Sequence, residues 1–190
     1  MAILNRSRGL RRACSRSVVF GFFMVYGSVV AAQSAPLLID EYQVKAAFVY
    51  NFAKFVKWPQ SLFPDPNSVF TICVFGHGPI DHWLRETVTG HVVDGRSLAV
   101  RQLSLVSEAS MCQIVFISGA EQKASLLPLT SMKPGILTIG ESDVAARAGA
   151  VINLRLEDNQ VRFDINAAAA YKEQLQISSK LLSLARNITK

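Results

Sequence analysis

At 190 residues the chain is long enough for one domain with a real hydrophobic core and short of two ordinary ones. Half of the residues are apolar and 18% are charged, with twenty basic side chains against fourteen acidic ones. The resulting +6 and the pI of about 9.5 do not argue for nucleic acid or a membrane surface as partner, because the excess is confined to the first segment.

That segment holds Arg6, Arg8, Arg11, Arg12 and Arg16 without one acid, then an apolar run from Val18 to Val30, then the small-residue series VVAAQSA. The order is that of a cleaved secretory leader over residues 1–32, which leaves a domain from residue 33 to residue 190. An uncleaved anchor is the alternative, but the apolar run is shorter than the about 20 residues of a membrane span. The leader carries five of the twenty basic residues and none of the fourteen acidic ones, so the remainder carries +1. Cys14 leaves with it. Cys73 and Cys112 remain, an even pair in an exported chain, and a disulfide is their expected state, with two buried free thiols as the alternative.

Glu41 to Pro59, EYQVKAAFVYNFAKFVKWP, is the most strongly periodic stretch. At 100° per residue Val44, Phe48, Asn51, Phe52, Phe55 and Val56 share one broad face, which predicts an amphipathic helix. Lys45 falls inside that arc and is expected to snorkel to its edge. Pro59 biases Trp58 away from helical geometry, so the helix should end at or just before Trp58, either half exposing its ring or capping the core with it.

SLFPDPNS then breaks any period. Val69 to Phe75 is short, β-rich and continuously apolar, as a strand covered on both faces should be. GHGP ends it, and Ile80 to Thr89 carries a helical pattern with Trp83 and Leu84 as core candidates. HVVDGRSLAVRQL holds an Asp-Gly turn signal between two β-capable runs. Gln113 to Ser118 is a second buried-type strand, Glu121 to Leu129 reads as a helix, and Gly135 introduces a third apolar run closed by Gly140. Ser142 can cap a two-turn helix stopped by Gly149. AVINLRLEDNQVRFDIN alternates polar and apolar residues on either side of EDNQ, which predicts a hairpin. Asn166 can cap a helix over Ala167 to Gln174, and Ser178 to Asn187 reads as a last helix. Strands alternating with helices predict a single-domain α/β sandwich: a central mixed sheet of five or six strands with helices on both faces.

No catalytic constellation emerges. His77, His82 and His91 lack metal-ligand spacing, no serine lies in GxSxG or SxxK, and GHGP is a weak anion-loop candidate beside a plain strand-ending turn. The expectation is a protein that is not an enzyme, without metal or cofactor.

Three segments together resemble one family: VKAAFVYNFAKFVKWP, VFTICVFGHGP and RFDINAAAAYKEQLQISSKLLSLA. They are similar to the YfiR family of exported bacterial proteins, over about residues 41 to 188. The resemblance implies a periplasmic protein that binds the periplasmic sensory domain of a membrane-bound diguanylate cyclase and represses it, lowering cyclic di-GMP and biofilm formation. It also implies a homodimer, and it matches Cys73 and Cys112 to a disulfide pair of the family; a second pair present in some relatives is absent here. A pocket is implied near the end of the first helix and the start of the C-terminal helices; the alternative function is a periplasmic small-molecule receptor that uses it for a small aromatic or nucleotide-like ligand. Lys54, Trp58, Phe163, Asp164 and Tyr171 are the candidates there for ligand or partner contact. Each has a structural alternative: Phe163 as core, Asp164 as a turn or cap acceptor, Tyr171 as a packed helix residue.

Overall fold

In the computed structural model, which describes residues 36–119, 129 and 133–190, the chain opens on α1 (Pro36–Phe55). Its packed face is Lys45, Ala46, Val49, Phe52, Ala53 and, just beyond the helix, Val56. This differs from the expected stripe by a rotation: Val44 is 43% exposed and Asn51 is exposed, while Phe48 and Phe55 are half buried on the flank. Each fully buried large side chain contributes about 1.5–3 kcal/mol through the area it removes from water. The helix stops at Phe55, three residues before Trp58, because Val56–Lys57 form a short strand, β1, that pairs antiparallel with β9 (Gln176–Ile177). The Ser178 amide donates to the Phe55 carbonyl and seals that junction at 3.0 Å.

The central sheet is built from β2 (Phe70–Phe75), β3 (Val92–Val93), β4 (Arg96–Leu103), β5 (Ile114–Ile117), β6 (Leu137–Gly140), β7 (Ile152–Glu157), β8 (Gln160–Asn166) and β10 (Asn187–Thr189). Its order is β10-β8-β7-β6-β5-β2-β4-β3. The strands from β4 to β7 are parallel, β7 and β8 form an antiparallel hairpin, β10 returns parallel to β8, and β3 closes a hairpin on β4. Among the described residues eight strands replace the five or six expected, because β3 and β10 have two and three residues, too few to carry a period.

Successive strand residues point to opposite faces, and two cores result. One contains Ile72, Val74, Ile114, Phe116, Leu137, Ile139, Ile152 and Leu154 beneath α1 and α2 (Ile80–Val88), with Ile80, Leu84 and Val88 inserted at intervals of four. The other contains Cys73, Val115 and Ile117 with Ala109, Leu129 and, from α3 (Asp143–Arg147), Ala145. α3 lies so close on β6 that a Cβ at Gly140 would come within 2.3 Å of the Ala145 Cβ. The Cys73–Cys112 disulfide joins β2 to the residue before Gln113 at the start of β5.

Turns and caps follow the local chemistry. Asp94 and Gly95, and Asp158 and Asn159, all have positive φ, the two-residue hairpin geometry that suits right-twisted strands. Ser142, Asn166 and Ser178 each accept from the amide three residues on, capping α3, α4 (Ala167–Lys172) and α5 (Ser179–Leu184). Two helices are shorter than expected. α4 ends before Gln174, which takes a φ of 57°; α5 ends at Leu184 because the Arg186 amide donates to the Phe163 carbonyl and draws the chain into β10. The helix expected over Glu121 to Leu129 lies outside the described residues, apart from Leu129, which is buried.

Candidate functional site

The junction between α1 and η1 (Gln60–Leu62) fixes Trp58. Its indole Nε1 donates to the Gln113 carbonyl at 3.2 Å, and its ring stands edge-on to Phe70 with centroids 5.0 Å apart. Gln113 itself is buried and doubly committed: its Oε1 accepts from the Thr71 amide at 2.7 Å, and its carbonyl also accepts from the Leu137 amide. Trp58 is therefore anchored to the start of β5 while remaining half buried.

Around it lies an open cleft of about 420 Å³ lined by Lys57, Trp58, Pro59, Gln174 and Gln176. The β1–β9 pair makes this cleft, by bringing the exit of α1 beside the exit of α4. It offers an indole, an ammonium and two carboxamides, each able both to donate and to accept. That set suits a small planar ligand carrying an anionic or polar group.

Of the five candidate contact residues, the structure brings only Trp58 to this cleft. Lys54 is exposed on α1, its Nζ 5.3 Å from the centroid of the Tyr50 ring. Phe163 is 3% exposed and packs against Phe48 and Phe52, with centroids 5.6 and 5.1 Å away. Asp164 lies between two guanidinium groups: it accepts from Arg155 Nε at 3.1 Å and from Arg186 Nε and Nη2 at 2.8 and 2.7 Å. Arg155 reaches on to Asp143 at 2.7 Å, and Arg186 to Glu157, so this chain of charges fastens β10 to the β7–β8 hairpin. Tyr171 is 86% exposed on α4. Lys57, Gln174 and Gln176 were missed because a two-residue pairing between distant segments leaves no pattern in the sequence.

A second polar cluster was also missed. Lys45 does not snorkel: it is 4% exposed, with its Nζ 2.5 Å from both Glu41 and Glu141. Burial pulls its pKa down, but the hydrogen bonds and charges of Glu141 and Glu41 outweigh that and raise it above 10.5. Glu141 follows β6 and also accepts from the Gly119 amide at 2.7 Å and from Ser118 Oγ at 3.4 Å. The cluster thus sits past the carboxyl ends of β5 and β6, the end of a parallel sheet where α/β proteins commonly hold ligands, and a carboxylate of the chain itself fills it.

Among the described residues no group of three His, Cys, Asp or Glu side chains is arranged to hold a metal, and no helix is long and apolar enough to cross a membrane. A family model described as YfiR/HmsC-like matches residues 42–186. No curated protein matches the chain. Solved structures that resemble it include a conserved domain protein from Vibrio cholerae O1 biovar El Tor strain N16961, at 12% identity and a TM-score of 0.45. Another is the ABC domain in complex with L-Trp from Streptococcus pneumonia, at 11% identity and a TM-score of 0.47. The alignments cover 78% and 77% of this chain, which spans 60% of the length of each of those two.

Proposed function

The chain belongs to the YfiR/HmsC-like family, and from that premise we propose that it is a periplasmic repressor of an inner-membrane diguanylate cyclase. The family is one of periplasmic regulators of diguanylate cyclases, regulators rather than enzymes. In this reading residues 1–32 direct export and are removed, and the domain from Gln33 onward binds the sensory domain of the cyclase as a homodimer. Repression requires differential affinity: the protein must bind the inactive arrangement of that sensory domain more tightly than the active one, since equal affinity for both shifts nothing. The family match over residues 42–186 is the observation that carries this reading.

The cleft around Trp58 favours an addition to it. A small aromatic or nucleotide-like ligand held by Trp58, Lys57, Gln174 and Gln176 would give the regulator an input, if the ligand prefers the free or the bound form of the repressor. The first test is genetic. Deleting the chain should raise cyclic di-GMP and biofilm in a strain that carries the cognate cyclase and change nothing in a strain that lacks it. Unchanged cyclic di-GMP in the first strain would overturn the repressor reading. The second test is ligand-dependent thermal stabilisation of the purified protein, with loss of the effect in Trp58→Ala; stabilisation that persists there would place the ligand elsewhere.

A further inference from the structure

β4 is a sheet edge over most of its length. β3 pairs only with Arg96 and Ser97, so among the described residues Leu98 to Leu103 have no strand on that side. Backbone groups of a strand alternate between its two neighbours, and Val100 identifies the outward set, because its carbonyl accepts from Arg85 Nη1 at 3.0 Å and it lies in phase with Arg96, which pairs with Val93 across the turn. The outward amides and carbonyls are then those of Leu98, Val100 and Gln102. Among the described residues no turn, loop or side chain bonds the outward groups of Gln102, whereas the pairing of Val92 with Ser97 turns the Leu98 amide toward the His91 carbonyl.

The two flanks of this edge differ in chemistry. On the α2 side, the end of that helix, the turn after it and Ser97 to Val100 enclose a cleft of about 420 Å³. Its apolar lining is Val88, Val92, Leu98 and Val100, and Val92 is 58% exposed. On the opposite side of β4 Arg101 is exposed, donating to the Met111 sulfur at 3.4 Å, and it forms no ion pair among the described residues.

We propose that this edge is a docking site for an extended acidic segment of a partner protein, which adds a strand beside β4. Its side chains would alternate, apolar ones over the cleft and acidic ones over Arg101. The charge selects the occupant. The chain's own first segment carries five arginines and no acid, and the β4 of a second copy carries two arginines and no acid, so neither supplies a counter-charge to Arg101. Arg85 is the placeholder: docking displaces it from the Val100 carbonyl while it keeps its paired bonds to Asp81, at 2.8 and 2.9 Å. The proposal rests on the β4 edge alone and is independent of the cyclase reading.

The test uses the purified chain from Gln33 to Lys190 and labelled seven-residue peptides that alternate Glu with Val or Ile. Fluorescence anisotropy should give saturable binding at least about tenfold tighter than for the same peptide with Lys in place of Glu, a gap that narrows with salt. Arg101→Glu, at an exposed position, should reverse that preference with the melting temperature unchanged. N-methylation of the peptide amides of one alternate set should abolish binding, methylation of the other set should not, and amide exchange at Gln102 should slow on binding. No saturable binding, equal tolerance of both methylation patterns, or affinity unaltered by Arg101→Glu would each overturn the proposal. So would a concentration-dependent dimer that the peptide cannot displace.

Discussion

Replacing Lys45 by Met removes one charge and keeps most of the aliphatic stem, so it isolates the ionic cluster from the packing of α1. Lys45 is 4% exposed, and the side chains of Glu141 and Glu41 are 4% and 12% exposed, so three charges share a site nearly closed to water. Breaking a buried pair by removing one partner costs about 3–5 kcal/mol, since the remaining charge keeps its desolvation without its counterion. The Gly119 amide and the Ser118 hydroxyl still serve Glu141, which argues for the lower end, about 3 kcal/mol. Glu141→Gln should cost less, about 2 kcal/mol, because Lys45 keeps Glu41. The double variant should cost clearly less than the sum of the two. Urea unfolding at pH 7 with the disulfide intact measures all three, and repeating it in 1 M salt should leave the costs nearly unchanged, because buried pairs are little screened. A Lys45→Met cost below about 1 kcal/mol, or one that salt abolishes, is what an exposed pair gives and would refute the buried-cluster argument. The pH dependence has a definite sign. A lysine pKa raised in the folded state contributes stability that is present below its unfolded value of about 10.5 and is lost as pH rises through the folded value.

Three further outcomes follow. Replacing Cys73 and Cys112 together by Ser should lower stability by about 4 kcal/mol in the chain-entropy model for a link across 39 positions, read as a shift of the urea midpoint; an unchanged midpoint would show that the bridge does not stabilise the fold. Glu173 has its pKa raised above 4.5, by burial first and against the hydrogen bond from Gly135 and the charge of Lys172, and its Oε2 has no partner among the described residues. Its folded pKa exceeds the unfolded one, so its contribution is lost as pH rises through that window, and Glu173→Gln should flatten the fall in melting temperature from pH 4.5 to 7 and raise it at pH 7; an unaltered profile would remove Glu173 as the cause. Lys57→Ala and Gln176→Ala, both at exposed positions, should change stability by no more than about 0.5 kcal/mol yet weaken any ligand that stabilises the parent protein; full ligand stabilisation in both would separate the ligand from this cleft.

The parts of the fold that local chemistry dictates were legible from the residues. The EDNQ hairpin, the Asp-Gly turn of VVDGRS, the caps at Ser142 and Asn166 and the continuously apolar strands each need only neighbours in sequence, and each has its counterpart in the structure. What periodicity could not reach depends on distant partners. Lys45 reads as a misfit in an apolar arc because Glu141, 96 positions away, is what allows it inside. Trp58 was picked out by the proline after it, but the rest of its cleft comes from β9, whose two residues have no period. The expected end of α5, Asn187, lies three residues past the observed one, Leu184, because nothing local stops the pattern that Leu181, Leu182, Leu184 and Ala185 set, while the bond from the Arg186 amide to Phe163 is tertiary.

The order of the strands bears on how the chain assembles. β2 has β4 on one side and β5 on the other, so the chain must leave it, form α2 and the β3–β4 hairpin on one flank, and return to the other flank before the centre of the sheet exists. Closing that excursion is an entropic cost met before the contacts of β5 with β2 offset it, the kind of non-local step that slows folding. The Cys73–Cys112 bond spans the same excursion and joins its two ends. In a chain oxidised before it folds, that closure is already made, so β5 searches for its place beside β2 within a tethered volume. Oxidation early in the life of the protein therefore shortens the interval in which the apolar strands lie uncovered and open to aggregation.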